Sequence, residues 1–399
     1  MSTLDTLPGS GCGLLIIDLD GAGSHPAAGR LSPTAAAALD PDQVRGAVLA
    51  AESAGFHAAT FSDPELPDTA PAERPDAAAA ARLDAVQRAA FAGPVTRSLA
   101  LIPEVDTVYT EPFHISTQLA SLDYVSNGRA GWLVAASTSA ADAAAVGRET
   151  VRGALLAGEA ADSIEVGRRL WDSWEDDAVI RDVSTGRYFD VDKLHYIDVE
   201  TDNYSVKGPS IIPRPLQGQL PVLAPAGLLA PEAVAAGAAD ALLVSAPASG
   251  LLAAELTETR VGLLSGPAPG GNAPALIAEL DVVLDARGEA AAERLAVLDG
   301  HTPWQSPRAL FAGTAAELTE LLTEVLAVAD GVRLHPAVLD TDLEELSRLV
   351  LPELRRRGLL APNTPDATFR DQLGLARPAS RYAAATAAAA PTTAAGTEH

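Results

Sequence analysis

The sequence predicts an α/β protein whose parallel strands form one (β/α)8 barrel. Short, continuously apolar segments such as 14–18 and 132–136 are typical of strands buried on both faces, as they are in a parallel sheet. Segments with helical spacing of apolar residues alternate with these strands, and such crossovers join parallel neighbours. With 399 residues and 48% hydrophobic content, the chain is long enough for one elaborated barrel to use nearly all of it.

The first part of the predicted barrel lies before residue 110. Strands are predicted at 14–18, 58–63 and 96–102, where apolar and β-branched residues run together. Helices are predicted at 40–54 and 76–91, between those strands. The order strand, helix, strand, helix requires right-handed crossovers between neighbouring parallel strands.

The clearest unit runs from residue 109 to 139 and predicts a helix, a tight turn and a strand. Glu111 and Pro112 suit the first turn of a helix, because an acid faces the positive end of the helix dipole and the N–H that proline lacks would be unpaired there. Gly128 favours the left-handed conformation that ends a helix. The apolar run that begins at Trp132 supplies the fourth strand.

The chain between the fourth and fifth strands is too long for one helix, which predicts an insertion at about residues 140–219. Residues 140–174 have a mostly helical pattern, whereas 181–218 contain turn residues and short alternating segments. We expect this second part to fold over the carboxyl ends of the strands. Further strands are predicted at 221–226, 241–245, 280–285 and 331–334, with a turn at 311–314 and a closing helix at 342–357.

Composition and charge exclude several classes of function. The balance of 28 basic and 53 acidic residues gives a net charge of -25, which argues against nucleic acid or an anionic membrane as a partner. Cys12 is the only cysteine and no run approaches transmembrane length, so a cytoplasmic protein is expected. The histidines lack the spacing of a metal site. The barrel domain is expected to span 1–378, and the Ala/Thr/Pro-rich tail 379–399 to be disordered.

Several motifs extend along the chain. The helix, turn and strand unit contains EPFH at 111–114 and LDYVSNGRAGW at 122–132. Further motifs are LWDSWED at 170–176, KGPSIIPRPLQGQLPV at 207–222 and ATFRDQLGLARP at 367–378. Together they resemble the flavin-dependent luciferase-like monooxygenases, and within them the branch that includes nitrilotriacetate and dibenzothiophene-sulfone monooxygenases. The resemblance covers about residues 10–380 and implies a (β/α)8 barrel with its active site at the carboxyl ends of the strands.

The resemblance also implies a cofactor and a reaction. It implies reduced FMN, with the deazaflavin F420 as an open alternative, and oxygenation of a small organic substrate by dioxygen. No G-x-G-x-x-G follows any strand, so a separate flavin reductase is expected to supply the reductant. A homodimer or homotetramer is expected. No catalytic residue is assigned, and the cofactor contacts are expected from residues at the carboxyl ends of the strands, namely His25, Asp63, Thr107, Ser137 and Gly227.

The chain departs from the family where the cofactor would lie. After the fifth strand the family has a Ser/Gly turn whose N–H groups suit a phosphate, whereas this chain reads PAGLLAPE from Pro225 to Glu232. An Arg-Tyr pair of the inserted helix falls on Leu156 and Ala157. Two classes of function therefore stay open. One is a flavin monooxygenase with weakened FMN binding, and the other is a flavin-free family member that acts as a binding or assembly partner of a true monooxygenase.

Overall fold

The computed structural model describes residues 12–32, 39–62, 83–267 and 272–382. The strands, in chain order, are β1 (Leu14–Asp18), β2 (Ala58–Phe61), β3 (Ala100–Asp106), β4 (Trp132–Ala135), β5 (Val179–Asp182), β6 (Arg187–Phe189), β7 (Val199–Glu200), β8 (Ser205–Val206), β9 (Val222–Pro225), β10 (Ala241–Val244), β11 (Ala275–Leu284), β12 (Ala309–Gly313) and β13 (Gly331–Pro336).

The α-helices, in chain order, are α1 (Ala28–Leu31), α2 (Pro41–Ala54), α3 (Ala85–Ala92), α4 (Pro112–Val125), α5 (Ala140–Ala145), α6 (Gly153–Asp172), α7 (Pro231–Ala235), α8 (Leu252–Ser265), α9 (Ala291–His301), α10 (Ala315–Leu326), α11 (Leu339–Glu345), α12 (Leu351–Arg356) and α13 (Phe369–Gln372). A π-helical turn (Leu346–Val350) joins α11 to α12. No helix in the described part of the chain is both long and apolar enough to cross a membrane.

Eight parallel strands close into a barrel, which confirms the predicted fold. Their order around the barrel is β1, β2, β3, β4, β9, β10, β11 and β13, and β13 pairs with β1 to complete the circle. The strand β12 lies outside this count, because it pairs only with the carboxyl-terminal half of β11. The barrel is therefore complete without β12. This strand pairs with the second half of β11, whereas β10 pairs with the first half.

The barrel interior follows from the alternation of side chains along each strand. Ile16, Leu133, Leu243 and Ile277 point inward and pack in one buried cluster. Phe369 of α13 is fully buried in the same cluster and closes the barrel at the amino-terminal ends of the strands. The intervening residues of each strand point outward and pack against the surrounding helices.

The third strand begins later than the sequence pattern predicts, at residue 100 instead of 96. The Thr96 hydroxyl donates to the carbonyl of Ala92, the last residue of α3, at 2.9 Å. Residue 96 is therefore part of the turn that follows this helix. The N–H groups of Arg97, Ser98 and Leu99 all donate to Glu52 Oε1, at 2.7, 2.7 and 3.1 Å. Because these N–H groups already donate to the Glu52 carboxylate, they cannot also pair with a neighbouring strand. Of the helix predicted at 76–91, residues 76–82 lie outside the described residues.

Two predictions near the seventh strand were also wrong. The strand predicted at 280–285 is the ten-residue strand β11, which begins at Ala275. The turn predicted at 311–314 is the strand β12 followed by the N-cap of α10. There the Thr314 hydroxyl accepts from the Glu317 N–H at 3.2 Å, and the Glu317 carboxylate accepts from the Thr314 N–H at 2.9 Å. This capping box starts a helix directly after the strand and leaves no free turn.

The inserted residues 181–218 lie only in part where we expected them. The Tyr204 hydroxyl donates to the Thr107 carbonyl, just after the carboxyl end of β3, at 2.9 Å. The prediction placed them over the carboxyl ends of the strands, yet their last part packs at the amino-terminal ends. Gln217 Nε2 donates to the Ala130 carbonyl before β4 at 2.8 Å and to Asp123 Oδ1 at the end of α4 at 2.7 Å. The reason is the length of α6, whose 20 residues span roughly 30 Å and carry the chain from one end of the barrel to the other.

The motifs behind the resemblance converge at this amino-terminal end. Arg214 is buried and donates to Asp172 Oδ1 at 2.9 Å, to Asp176 at 3.1 Å and to the Pro378 carbonyl at 2.9 Å. Gln217 Oε1 accepts from the Arg370 N–H at 2.9 Å. These contacts join the motifs at 170–176, 207–222 and 367–378 to one another. Those motifs therefore stabilise the barrel at the end opposite to its expected active site.

Candidate active site at the carboxyl ends of the strands

Thr107 and Ser137 follow the neighbouring strands β3 and β4. The Thr107 N–H and hydroxyl both donate to the Ala135 carbonyl, at 2.9 and 2.8 Å. The Ser137 hydroxyl donates to Asp142 Oδ2 at 2.6 Å, and both residues are buried. Each hydroxyl donates its hydrogen to a protein oxygen, Thr107 to the end of β4 and Ser137 to Asp142, so neither is a ready donor to a ligand in this arrangement.

Asp106 joins the same two loops. Its carboxylate accepts from the Ser137 N–H at 2.7 Å and from the Tyr109 N–H at 2.6 Å. Burial raises the pKa of Asp106, and these two hydrogen bonds act against that increase. The carboxylate therefore joins the loop after β3 to the loop after β4.

His25 lies in the loop after β1 and is 2% exposed. Its Nδ1 accepts from the Ala27 N–H at 3.0 Å, so in the neutral ring Nε2 carries the hydrogen and donates to Asp299 Oδ1 at 3.2 Å. The Trp304 ring packs edge-on against the imidazole at 4.9 Å. Both ring nitrogens thus have protein partners, and the side chain ties the β1 loop to the end of α9.

Gly227 lies after β9 and borders a cavity of about 700 Å³. Its φ of +85° is one that residues with a Cβ rarely adopt. Leu156 and Ala157 of α6 line the same cavity, together with Leu228 and Leu229. The segment that corresponds to the family's phosphate turn and the helix segment that lacks the family's Arg-Tyr pair are therefore brought together, but as an apolar surface. The fifth predicted residue, Asp63, lies outside the described residues.

A buried ionic network forms the floor of the barrel mouth, and the sequence interpretation missed it. The Arg333 guanidinium donates to Asp18 Oδ1, to Thr60 Oγ1 and to Glu279 Oε1, each at 2.9 Å. His335, two residues further along β13, has its Nε2 at 3.2 Å from Glu279 Oε1. The signal was present in the sequence as an Arg and a His two positions apart in an otherwise apolar strand, which places both on the inner face.

The carboxylates of this network differ in the direction of their pKa shifts. Burial alone would raise the pKa of Glu279, but the hydrogen bond from His335 and the charge of Arg333 lower it to about 2. Asp18 is likewise buried, and the charge of Arg333 lowers its pKa. Glu104 is 3.9 Å from Arg333 and accepts from the Ser62 hydroxyl at 2.8 Å. Burial raises the pKa of Glu104, which makes it the carboxylate of this group that most readily holds a proton.

Arg308 stands above this floor, beside β11. Its Nε donates to Asp281 Oδ1 at 2.9 Å, and the Asp281 side chain is fully buried beneath it. The Arg308 side chain is 23% exposed and the Glu104 side chain 28% exposed, whereas that of Arg333 is only 5% exposed. A ligand in the barrel mouth would therefore meet Arg308 and Glu104 before any other part of the network.

The family model for luciferase-like monooxygenases matches residues 21–325. The chain belongs to the luciferase-like monooxygenase family. It is 29% identical to N-acetyl-S-(2-succino)cysteine monooxygenase of Bacillus subtilis (strain 168), over 72% of this chain and 80% of that one. It is 27% identical to nitrilotriacetate monooxygenase component A of Aminobacter aminovorans, over 72% and 78% of the two chains.

Solved structures of luciferase-like proteins share the fold. Riboflavin lyase in complex with modified FMN and riboflavin superposes with a TM-score of 0.76 at 21% identity, covering 93% of this chain and 98% of that one. The long-chain alkane monooxygenase structure superposes with a TM-score of 0.75 at 20% identity, covering 91% and 95% of the two chains. At this level of identity the agreement establishes the fold alone.

The residues of this luciferase-like chain do not fit the phosphate of FMN at the expected position. Among the described residues that line the cavity at Gly227, none carries a positive charge and Thr259 has the only polar side chain. A phosphate dianion requires a cationic side chain or several N–H groups to replace its water, particularly in a protein of net charge -25.

Proposed function

We propose that this protein is a luciferase-like oxidoreductase that oxygenates a small organic substrate with dioxygen and reduced flavin. The observation that carries the proposal is that the family model matches residues 21–325, which contain six of the eight barrel strands. A barrel mouth of this type excludes water from one side of a bound ring system, which an oxygen-reactive reduced flavin requires.

The proposal includes a mode of flavin binding that does not use the phosphate. Free FMN is one candidate and the deazaflavin F420 another, and in both cases the ring would lie at the carboxyl ends of the strands. The residues proposed to lie nearest to it are those predicted from the sequence, namely His25, Asp63, Thr107, Ser137 and Gly227. In the described part, Arg308 and Glu104 join them as partly exposed charged groups of the mouth.

We also propose that a separate flavin reductase supplies the reduced flavin. The sequence contains no G-x-G-x-x-G after a strand, so a nicotinamide site of that kind is not expected in this chain. One relative is named as component A of a nitrilotriacetate monooxygenase, and such a name describes a system of more than one component. A weakly held flavin suits this arrangement, because it must move between two proteins.

One observation favours a second candidate function. The cavity at Gly227 is apolar where the family resemblance implies a phosphate site, which is the change expected of a relative that no longer binds flavin. Such a protein would serve as a binding or assembly partner of a flavin-using monooxygenase. The two candidates differ in a measurable way, because only the first requires any flavin to bind.

Mixing reduced flavin with oxygenated buffer in a stopped-flow instrument tests the two candidates. Photoreduced FMN, riboflavin and F420 are each mixed with and without an excess of the protein, and their reoxidation is followed by absorbance. The first candidate predicts that at least one flavin is reoxidised at a different rate when the protein is present. If all three traces are unchanged at the highest protein concentration, the flavin-dependent proposal is wrong.

A further inference from the structure

We propose that the cavity beside Gly227 binds an uncharged, apolar small molecule or the apolar chain of a larger one. This inference does not depend on the proposed function, because it rests on the apolar lining of the cavity, which lies on the outside of the strand wall. Leu242 of β10 lines it and points outward, whereas the neighbouring Leu243 belongs to the cluster inside the barrel. The cavity and the barrel mouth are thus on opposite sides of one strand.

The cavity exists because one covering helix is too short. The chain between β9 and β10 forms only the five-residue helix α7, whereas β10 is followed by the 14-residue helix α8 and the insertion contributes the 20-residue helix α6. A five-residue helix spans roughly 8 Å and cannot cover the outer face of β10. The space between α6, α7 and α8 is therefore left open, with the residues after β9 forming its upper wall.

The lining determines what kind of molecule can enter. Leu156 of α6, Leu229 after β9, Val234 of α7 and Leu263 of α8 face one another across the cavity. A volume of about 700 Å³ falls within the range of sites for small molecules, roughly 300–1,000 Å³. An apolar ligand gains free energy by leaving water there, whereas an anion would lose hydration without gaining a charged partner.

One feature of the cavity could attract an anion instead, and the experiment must address it. Gly153 and Ala154, the first residues of α6, lie in the lining, and the N–H groups at the start of a long helix favour negative charge. No described residue of the lining adds a cation to them. The comparison of a neutral with an anionic probe therefore decides between the two kinds of ligand.

Gly262 offers a way to fill the cavity without disturbing the fold. It lies in α8, it lines the cavity, and a Cβ built on it meets no atom within 4 Å. Gly46 of α2 is also helical with no atom near its Cβ, and it lies away from the cavity, so Gly46→Phe is a matched control for Gly262→Phe. Ala157→Phe fills the cavity from the opposite wall and provides a second, independent variant.

The full-length protein is titrated with the neutral fluorescent probe N-phenyl-1-naphthylamine. We expect saturable binding to one site, weakened at least tenfold by Gly262→Phe and by Ala157→Phe and unchanged by Gly46→Phe. Inorganic phosphate and FMN should not displace the probe. The proposal is overturned if binding is not saturable, if both filling variants bind the probe as the unmodified protein does, or if phosphate displaces it.

Discussion

Arg333 Nη2 lies 2.9 Å from Asp18 Oδ1 inside the barrel, and the exposed fractions of their side chains are only 5% and 7%. The guanidinium belongs to β13, the last strand of the barrel wall, and the carboxylate belongs to β1, the first strand. This ion pair therefore spans the seam at which the barrel closes. A buried pair of this kind adds little stability compared with a well-packed apolar pair, but breaking it leaves an uncompensated charge.

Replacing the arginine should consequently be costly. We expect Arg333→Met to lower the free energy of unfolding by about 3–5 kcal/mol, because Asp18 and Glu279 would both stay buried without a cationic partner. Denaturant unfolding measures the effect. Arg287→Met is the control, since the Arg287–Glu344 pair is exposed by 63% and 43% and such pairs contribute about 0–1 kcal/mol. Equal losses in the two variants would contradict this account.

The pH dependence of stability should separate two carboxylates of the network. The folded-state pKa of Glu279 is lowered to about 2, below its ordinary value of 4.5, so its contribution is present above about pH 4.5 and is lost as the pH falls toward 2. The difference in unfolding free energy between the unmodified protein and Glu279→Gln should therefore shrink over that range, by up to roughly 3 kcal/mol.

Glu104 should show the opposite trend, because burial raises its folded-state pKa. A raised carboxyl pKa means that the folded protein favours the protonated form, so stability is lost as the pH rises above the ordinary value. Relative to the unmodified protein, Glu104→Gln should gain stability as the pH rises through that folded pKa. For each variant, the difference in unfolding free energy from the unmodified protein is plotted against pH. If the Glu104→Gln and Glu279→Gln differences change with pH in the same direction, the opposite pKa shifts assigned to these two carboxylates are wrong.

Trp132 is the largest side chain in the wall of the barrel and is 1% exposed. Its ring packs edge-on against Trp171 of α6 with centroids 6.2 Å apart, so it joins β4 to the insertion. We expect Trp132→Ala to cost about 3–5 kcal/mol, the range for removing a large core aromatic. Leu155→Ala, at a side chain that is 76% exposed, should cost almost nothing. A loss below about 1 kcal/mol at Trp132 would contradict the packing argument.

The sequence predicted the barrel because local patterns determine most of its elements. The helix α4 begins and ends where Glu111 and Ser126 cap it, and each apolar run of the barrel wall became a strand. Errors arose where long-range contacts overrode the pattern. Glu52 binds the backbone before β3, and the length of α6 determines where the insertion returns to the barrel. Neither effect is visible in a local window of sequence.

The candidate site was less predictable than the fold. Of the five predicted residues, Thr107 and Ser137 follow the neighbouring strands β3 and β4, and Gly227 borders the cavity beyond β9. The hydroxyl of Thr107 donates to the Ala135 carbonyl and that of Ser137 to Asp142, and these partners could not be inferred because they depend on how the loops after β3 and β4 fold. The network around Arg333 was missed because its members are up to 315 positions apart in the chain. Only the closure of the barrel brings them together.

The last prediction concerns the flavin, because its binding decides between the two proposed functions. Leu229 lines the cavity and is 6% exposed, while Glu232 follows it at the start of α7 and is exposed. Leu229 offers no hydroxyl to a phosphate, and Glu232 places a negative charge nearby. Each charge-assisted hydrogen bond that is lost costs roughly 1.5–3 kcal/mol, or about one to two decades in the dissociation constant. We therefore expect FMN to bind weakly to the unmodified protein.

The double change Leu229→Ser with Glu232→Gly should tighten FMN binding by about ten- to a hundredfold, since it restores one hydroxyl and removes one repulsive charge. Riboflavin lacks the phosphate and serves as the control ligand, so its dissociation constant should be the same for both proteins. Calorimetric titration measures FMN and riboflavin, each oxidised and reduced, against both proteins. If the unmodified protein already binds FMN tightly and the double change has no effect, the phosphate is held elsewhere. The matching of residues 225–232 to the family's phosphate turn would then be wrong.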